Sequence, residues 1–299
     1  MNRKKIRHIM GLSGGKDSTG LAILLHKLIP DMEYFFCDTL KELPETYEYI
    51  QKVETRLGIR VKKLVAKRGF DDFLELFGNY LPSQRARWCT KLLKIQPLEE
   101  FVGDDIAYSY VGIRADEERN GYFSARPNIR PVYVYKPLNF KLRHMGREIY
   151  NQDDIVEEFR QQGIRLPIKK DGYSIDDVRD VINESGIGMP KYYDWRTRSG
   201  CYFCFYQRKY EWVMLAEKHP NLFDQAAAYE KELPDGRRFT WNQGETLREI
   251  LERKESIKTD HKKRMVLSKC NAPDKTLMEQ LEAVLDGEDA DKPCLICTL

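Results

Sequence analysis

The sequence predicts an α/β fold, with a doubly wound, parallel, five-stranded sheet over residues 1–140 and a mostly helical C-terminal region over 141–299. Two observations predict this class. Short apolar runs alternate with helical patterns over residues 6–65, and this alternation indicates parallel strands joined by right-handed crossovers. Polar residues follow directly on these runs, as they do where the strands of an open sheet end beside a ligand.

The elements follow from the spacing of apolar side chains. Strands are predicted at 6–10, 32–39, 60–65 and 106–114, with a further apolar stretch at 131–138. Helices are predicted after Leu21 and at 44–57, 70–80, 153–161, 174–185, 209–218, 222–232 and 243–254. Ser174 and Asp177 have the spacing of a capping box. The stretch 141–170 is otherwise charged and irregular, and 286–291 is an acidic patch that we expect to be flexible.

Composition excludes several classes of protein. A hydrophobic content of 41% with 32% charged residues is typical of a globular protein, and no apolar run is long enough to span a bilayer. The basic start of the chain precedes only a short apolar run, unlike a signal peptide, so we expect a cytoplasmic protein. A net charge of +3 does not by itself indicate nucleic-acid binding. Seven cysteines without a secretory signal favour metal or redox use over disulfides.

The segment between the first strand and the first helix is the strongest functional signal. A glycine-bearing loop at this place binds phosphate, because backbone N–H groups and the positive helix end point at the anion. Lys16 adds a mobile cation, and Asp17 is suited to hold Mg²⁺. The alternative is a turn of small residues that binds nothing. The candidate residues are Ser13, Gly14, Gly15, Lys16, Asp17 and Ser18.

Further polar residues are expected at the same edge of the sheet. Asp38 and Thr39 end the second strand, so Asp38 is a candidate to contact a nucleotide or the metal, or else merely caps the next turn. Arg114 ends the fourth strand and is a phosphate-contact candidate, or else a surface arginine paired with Glu117 or Glu118. Arg85 and Arg87 precede a helix in a positively charged turn that would suit an anion, and a second basic run covers 253–264.

With these pieces in order, residues 6–230 resemble the phosphoadenosine-phosphosulfate reductase-like branch of the PP-loop ATP pyrophosphatases. The pieces are Ser13 to Ser18, Asp38-Thr39 with Pro44-Glu45-Thr46, Cys89 with Lys94 and Pro97-Leu98, Gly112 to Arg114 with Glu117 and Arg119, and Arg198 to Cys204. The resemblance implies an adenine nucleotide α-hydrolase-like fold that cleaves ATP to AMP and pyrophosphate. It implies that Lys16 and Arg114 neutralise transition-state charge, and that Asp17, with Asp38 as a further candidate, holds Mg²⁺.

Two departures from the reductases favour ATP cleavage. Reductases of this branch tend to lack the complete loop, and they tend to carry a Glu-Cys-Gly segment that this sequence does not contain. The chain therefore resembles enzymes that adenylate an acceptor, such as a tRNA base or a DNA backbone, and replace AMP by sulfur from a cysteine desulfurase. Two alternatives stay open: a sulfonucleotide reductase that draws electrons from thioredoxin, and a nucleotide-binding subunit without turnover of its own.

The cysteines match a metal site of the same branch. Cys89 matches the first member of a Cys-Cys pair, and Cys201 and Cys204 match a later C-x-x-C. The resemblance implies that three thiolates hold a [4Fe–4S] cluster with one open iron that carries sulfur. A fourth ligand from Cys270, Cys294 or Cys297 would close the site or make a Zn²⁺ site, and a reduced C-x-x-C without metal is the remaining alternative. Cys37 is expected in the core.

Overall fold

In the computed structural model the described residues, 6–117, 126–144 and 147–269, form two compact units. The first unit comprises the chain up to Lys67 together with Thr90–Gly200. The second comprises Arg68–Cys89 and, of the described residues, those from Cys201 to Lys269. A helix at 175–184 packs on the first helix of the sheet unit, and the boundary at residue 140 stays a prediction.

The sheet of the first unit is parallel and five-stranded, which confirms the predicted fold class. Its strands are β1 Ile6–Gly11, β2 Met32–Asp38, β3 Val61–Val65, β4 Ile106–Tyr110 and β5 Ile129–Val132, in the spatial order β3-β2-β1-β4-β5. Helices cover both sides of the sheet. The strand order reverses between β1 and β4, which pair in register from Ile6 opposite Ile106 to Met10 opposite Tyr110. Ligands of such sheets bind in the crevice beyond this point, so the loops after β1 and β4 are where a site is expected.

The remaining elements are helices and two hairpins. The helices are α1 Lys16–Leu25, α2 Pro44–Leu57, α3 Phe70–Leu76, α4 Trp88–Thr90, α5 Gln96–Val102, α6 Gln152–Gln161, α7 Ile175–Glu184, α8 Lys209–Lys218, α9 Pro220–Ala228, α10 Leu247–Glu252 and α11 Lys254–Lys269. Lys91–Ile95 is a π-helical segment, and Lys191–Asp194 is a 3₁₀ helix. The C-terminal region is mostly helical, as predicted. No helix in the described part of the chain is long and apolar enough to cross a membrane.

Helix α7 packs against α1 in the first unit. Its N-terminus is the predicted capping box, since the Asp177 N–H donates to Ser174 Oγ at 3.2 Å and the Ser174 N–H donates to the Asp177 carboxylate at 2.7 Å. Val178 and Ile182 of its apolar face are fully buried. Gly20 in α1 permits the close contact, because a Cβ there would lie 3.0 Å from Val178 Cγ1.

Several elements differ from the sequence prediction for identifiable reasons. The irregular stretch after residue 140 contains an antiparallel hairpin, β6 Lys141–His144 with β7 Arg147–Asn151. The helix predicted at 222–232 ends at Ala228, because a turn with Gly236 at φ +81° closes the hairpin β8 Lys231–Glu232 with β9 Arg238–Phe239. The acidic patch at 286–291 lies outside the described residues.

The second unit is organised around aromatic side chains rather than a sheet. The Phe70 ring lies 4.4 Å from that of Phe203, which stacks on Trp241 at 5.1 Å and 16°. Trp88 packs against Phe70 at 5.1 Å, and Tyr229 closes the cluster from the side. Such pairs stabilise beyond the apolar area they bury. This core includes part of the C-x-x-C loop, because Phe203 lies between Cys201 and Cys204 in the sequence.

We expect Ile182→Ala to lower the free energy of unfolding by about 2–5 kcal/mol, because it leaves a cavity in the core shared by α7 and the sheet. The control is Ile149→Ala on β7, whose side chain is 48% exposed and should cost less than about 1 kcal/mol. Urea unfolding followed by circular dichroism measures both. Equal small effects would mean that α7 does not belong to the core of the first unit.

Candidate active site

The loop after β1 leads directly into α1, with Gly15 preceding the first helical residue and no side chain capping the helix. Gly14 has φ +74°, and its carbonyl accepts from the Tyr192 hydroxyl at 2.6 Å. A Cβ on Gly14 would lie 2.9 Å from Thr46 Cγ2, so glycine is required for both space and conformation. The first turn of α1 thus presents its amides as a helix N-terminus suited to an anion.

The loop serines have different roles. Ser18 Oγ accepts from the Ser13 N–H at 3.2 Å and donates to the Gly15 carbonyl at 3.1 Å, so it fixes the shape of the loop. Ser13 Oγ lies 3.2 Å from Ser18 Oγ and 3.3 Å from Ser199 Oγ. The predicted cradle is therefore assembled locally, and Ser199 joins it from the far end of the first unit.

Asp17 and Arg114 form a buried ion pair across the reversal of strand order. Each is 8% exposed, and Arg114 Nη1 donates to Asp17 Oδ1 at 2.5 Å. Nη1 also pairs with Glu117 at 2.8 Å and Nε with Asp116 at 2.9 Å. Burial by itself would lower the Arg114 pKa, but these carboxylates outweigh it and raise that pKa above its ordinary value. Lys16 Nζ lies 3.3 Å from Asp17 Oδ2.

The sequence allowed two interpretations of Arg114, a phosphate contact or a surface ion pair. Arg114 pairs with Glu117, as in the surface interpretation, but it does so in the interior, and its strongest contact orients Asp17. Glu118 and Arg119 lie outside the described residues. A direct contact between Arg114 and phosphate stays a prediction, and the geometry described here makes Arg114 a residue that positions Asp17.

Asp38 and Thr39 lie at the end of β2 as predicted, and their contacts are with the protein. Asp38 Oδ1 accepts from the Leu40 N–H at 2.8 Å and from the Tyr47 hydroxyl at 2.7 Å. Leu40 has φ +59°, an unfavourable conformation that this carboxylate stabilises. Thr39 Oγ1 donates to Glu42 at 3.0 Å. This is the capping geometry of the alternative interpretation, and a nucleotide contact by Asp38 stays a prediction.

Four residues around the loop were missed by sequence reasoning. The Tyr135 hydroxyl donates to the Asp17 carbonyl at 3.0 Å, and the Lys16 N–H donates to the Tyr193 hydroxyl at 3.3 Å. Tyr192 and Ser199 complete the set. Tyr193 is 177 positions from Lys16, so no spacing rule connects them. The only local signal is the tyrosine pair shortly before Arg196–Gly200.

The cysteines do not form a metal site in the described geometry. Cys89, Cys201 and Cys204 are half-buried members of the second unit. Within 6–117, 126–144 and 147–269, no three His, Cys, Asp or Glu side chains are grouped so that they could hold a metal ion. Cys270, Cys294 and Cys297 lie outside the described residues. The [4Fe–4S] cluster and the Zn²⁺ ion at Cys89, Cys201 and Cys204 therefore stay predictions.

The metal prediction from the resemblance therefore depends on a direct assay. Iron and zinc content of protein purified without air, with iron supplied, decides between a cluster, zinc and no metal. Cys37 is a separate case: it is buried in β2, it donates to the Lys94 carbonyl at 3.4 Å, and burial raises its pKa to about 12. A thiol held neutral in this way is a core residue, as expected.

Comparison with known proteins shows what part of this site is similar to. Residues 7–136 match the model of the phosphoadenosine phosphosulfate reductase domain. This stretch therefore resembles that domain. It contains β1 from Arg7 onward and all of β2 to β5, and with them the first turn of α1 with Asp17 and the segment after β4 with Arg114. The match ends before Tyr192, Tyr193 and Ser199, which lie outside the matched domain.

Relatives of the reductase-like domain carry different names. An uncharacterized protein of Methanocaldococcus jannaschii is 32% identical over 44% of this chain and 30% of its own length. A second from the same organism is 25% identical over 79% of this chain and 49% of its own. An adenosine 5′-phosphosulfate reductase of Bacillus cereus is 31% identical over 48% of this chain and 62% of its own. The chain thus spans less than two thirds of the length of each.

A solved structure of a phosphoadenylyl-sulfate (PAPS) reductase from Candida auris, in a phosphate complex, also aligns with this chain. It covers 65% of this chain and 81% of its own, at 14% identity and a TM-score of 0.42.

We expect Arg114→Met to lower the free energy of unfolding by about 3–5 kcal/mol, because it leaves buried carboxylates without their partner. The matched control is Arg179→Met, which removes an exposed pair with Asp176 and should cost less than about 1 kcal/mol. Urea unfolding of both variants tests the pair. A cost for Arg114→Met no greater than that of the control would show that the pair does not stabilise the site.

Proposed function

We propose that this chain is an ATP pyrophosphatase that adenylates an acceptor for sulfur transfer. An acceptor oxygen attacks the α-phosphorus of ATP, the bond from that phosphorus to the bridging oxygen breaks, and pyrophosphate leaves with the bond electrons. The terminal sulfur of a persulfide donor then attacks the adenylated carbon or phosphorus of the acceptor, and AMP leaves with the bond electrons. An external thiol reduces the resulting S–S bond, so that one sulfur stays on the acceptor. The observation that carries the proposal is the complete loop Ser13–Ser18, which opens α1 beside a buried Asp17–Arg114 pair.

Each residue has a role that follows from its position. The amides of the first turn of α1 donate to oxygens of the β- and γ-phosphates, since a helix N-terminus stabilises an anion. Lys16 is the mobile charge, and it stabilises the negative charge that develops on the departing pyrophosphate. Arg114 fixes the Asp17 carboxylate, so that no reorganisation is needed during the reaction. Ser13, Gly14, Gly15 and Ser18 keep the loop in the binding conformation.

The site also suits Mg²⁺ bound together with the nucleotide. Magnesium prefers one or two carboxylates completed by water and substrate phosphates, and Asp17 Oδ2 is an oxygen whose partner is the flexible Lys16 ammonium. Bound there, Mg²⁺ would supply positive charge between phosphate oxygens. Asp38 is a weaker candidate, because its Oδ1 is already used by Leu40 and Tyr47.

The acceptor we propose is nucleic acid, either a DNA backbone or a tRNA base, with a cysteine desulfurase as the source of sulfur. Arg85, exposed in the second unit, and Arg87, whose guanidinium lies 5.2 Å from the centre of the Tyr206 ring, support a phosphate-binding surface. The basic run at 253–264 supports it less. Arg253 pairs with Glu245, and Lys258 pairs with Glu217.

A sulfonucleotide reductase is the second candidate, and the relatives favour it. Several matched relatives are named adenosine 5′-phosphosulfate reductases. Such an enzyme would bind its nucleotide at the same loop, yet it would release sulfite rather than pyrophosphate. The products therefore distinguish the two candidates, and a protein that binds nucleotide but forms neither product would be a non-catalytic subunit.

We expect Lys16→Met and Asp17→Asn each to lower the rate of pyrophosphate release from ATP by about 10²-fold or more, because each removes a preorganised charge from the transition state. Lys27→Met, an exposed lysine after α1, is the control and should retain wild-type turnover. Cooperative thermal unfolding at a temperature well above that of the assay would show that the variants are folded. Wild-type turnover of either loop variant would exclude the loop from the mechanism.

We expect DNA or tRNA binding to weaken steeply with salt, because every neutralised phosphate releases counterions. Replacing Arg85 and Arg87 together by alanine should reduce the slope of log affinity against log salt by about 2. Arg253→Ala is the control, since Glu245 already neutralises that arginine. Fluorescence anisotropy across a salt series measures all three proteins. A flat salt response would favour the reductase.

A further inference from the structure

Tyr193 lies at the loop Ser13–Ser18, although it is 177 positions from Lys16 in the sequence. The Lys16 N–H donates to its hydroxyl oxygen at 3.3 Å, and Lys16 is the first residue of α1. A first-turn amide has no partner within its own helix and is a donor that binds an anion at such loops. The phenol oxygen therefore occupies a position that a phosphate oxygen would take.

The ring of Tyr193 also contacts the side chain of the same lysine. Lys16 Nζ lies 5.3 Å from the centre of the ring, which is within range of a cation–π interaction. That ammonium also lies 3.3 Å from Asp17 Oδ2. Tyr193 thus touches both the backbone donor and the mobile charge of Lys16, the residue with the most direct predicted role in binding phosphate.

The proton of Tyr193 is not used in the contact with Lys16. An amide N–H only donates, so the phenol oxygen accepts there and keeps its own proton, with the Tyr192 hydroxyl as a further hydrogen-bonding neighbour. Burial raises the Tyr193 pKa above its ordinary value, which keeps the phenol protonated near neutral pH. Tyr192 differs at this point, because its hydroxyl donates to the Gly14 carbonyl at 2.6 Å.

A second hydroxyl from the same segment lies at the loop. Ser199 Oγ is 3.3 Å from Ser13 Oγ, and a Cβ on Gly15 would lie 2.7 Å from it. Residues Tyr192–Ser199 thus approach the loop with three hydroxyl groups, of which Tyr192 supports the backbone. The segment forms a further wall of the site, beside the loops after β1 and β4.

We propose that Tyr193 is a phosphate-contacting residue of this site: its O–H donates to an oxygen of the pyrophosphate portion of the nucleotide, while its ring positions the Lys16 ammonium. The inference rests on the proposed function and adds a contact from outside the matched domain. When the anion binds, the Lys16 N–H passes from the phenol oxygen to a phosphate oxygen, and the phenol then donates to the same ligand.

Tyr193→Phe removes the hydroxyl and keeps the ring. We expect its dissociation constants for inorganic pyrophosphate and ATP, each with Mg²⁺, to rise about tenfold to hundredfold by calorimetry, as expected for a lost hydrogen bond to a charged group. Its affinity for AMP should not change. Tyr192→Phe is the matched control: we expect a lower unfolding temperature and no selective loss of pyrophosphate over AMP.

The outcomes separate this inference from the proposed function. Wild-type protein that binds neither pyrophosphate nor ATP would overturn both. Wild-type binding that Tyr193→Phe leaves unchanged would overturn the phosphate contact alone. Tighter binding by Tyr193→Phe would also overturn it, since it would mean that the phenol competes with phosphate for the Lys16 amide. Equal losses for pyrophosphate and AMP would reduce Tyr193 to a structural role.

Discussion

The buried contact between Asp17 and Arg114 is the interaction on which the rest of the site depends. It joins the first turn of α1 to the segment after β4, and the order of the sheet reverses between β1 and β4. Gly112 permits the approach, because a Cβ there would lie 3.2 Å from the Asp17 carbonyl oxygen. A charge pair in this place is costly to desolvate and costly to break, so it fixes the first turn of α1 relative to the sheet.

The charges of the site bear on its ligand. Lys16 and Arg114 face the three carboxylates of Asp17, Asp116 and Glu117, and the buried Lys136 ammonium donates to the Glu117 carbonyl at 2.6 Å, so this cluster carries no excess of positive charge. A polyphosphate entering such a cluster needs additional positive charge, and Mg²⁺ bound with the nucleotide would supply it. The aromatic and hydroxyl groups of Tyr192–Ser199 add neutral donors, which stabilise an anion without changing this balance.

The sheet, the loop and the sheet edge near Arg114 could be predicted from the sequence, because the carboxyl ends of parallel strands share one edge of a sheet. The sequence did not decide what Arg114 or Asp38 contacts, since a strand end specifies position and not partners. The sequence did not predict that Tyr135, Tyr193 and Ser199 contact the loop, because distant segments bring them there only when the chain packs. The convergence of the cysteines on a metal stays a prediction, since matching motif spacing does not establish distances between thiols.

The most direct test of the account is exchange of label between pyrophosphate and ATP. Wild-type protein is incubated with ATP, Mg²⁺, radiolabelled pyrophosphate and acceptor nucleic acid. Reversible cleavage between the α and β phosphates predicts label in ATP that depends on the acceptor and disappears in Lys16→Met. Absence of exchange, together with release of sulfite from a sulfonucleotide, would contradict the account and identify the chain as a reductase.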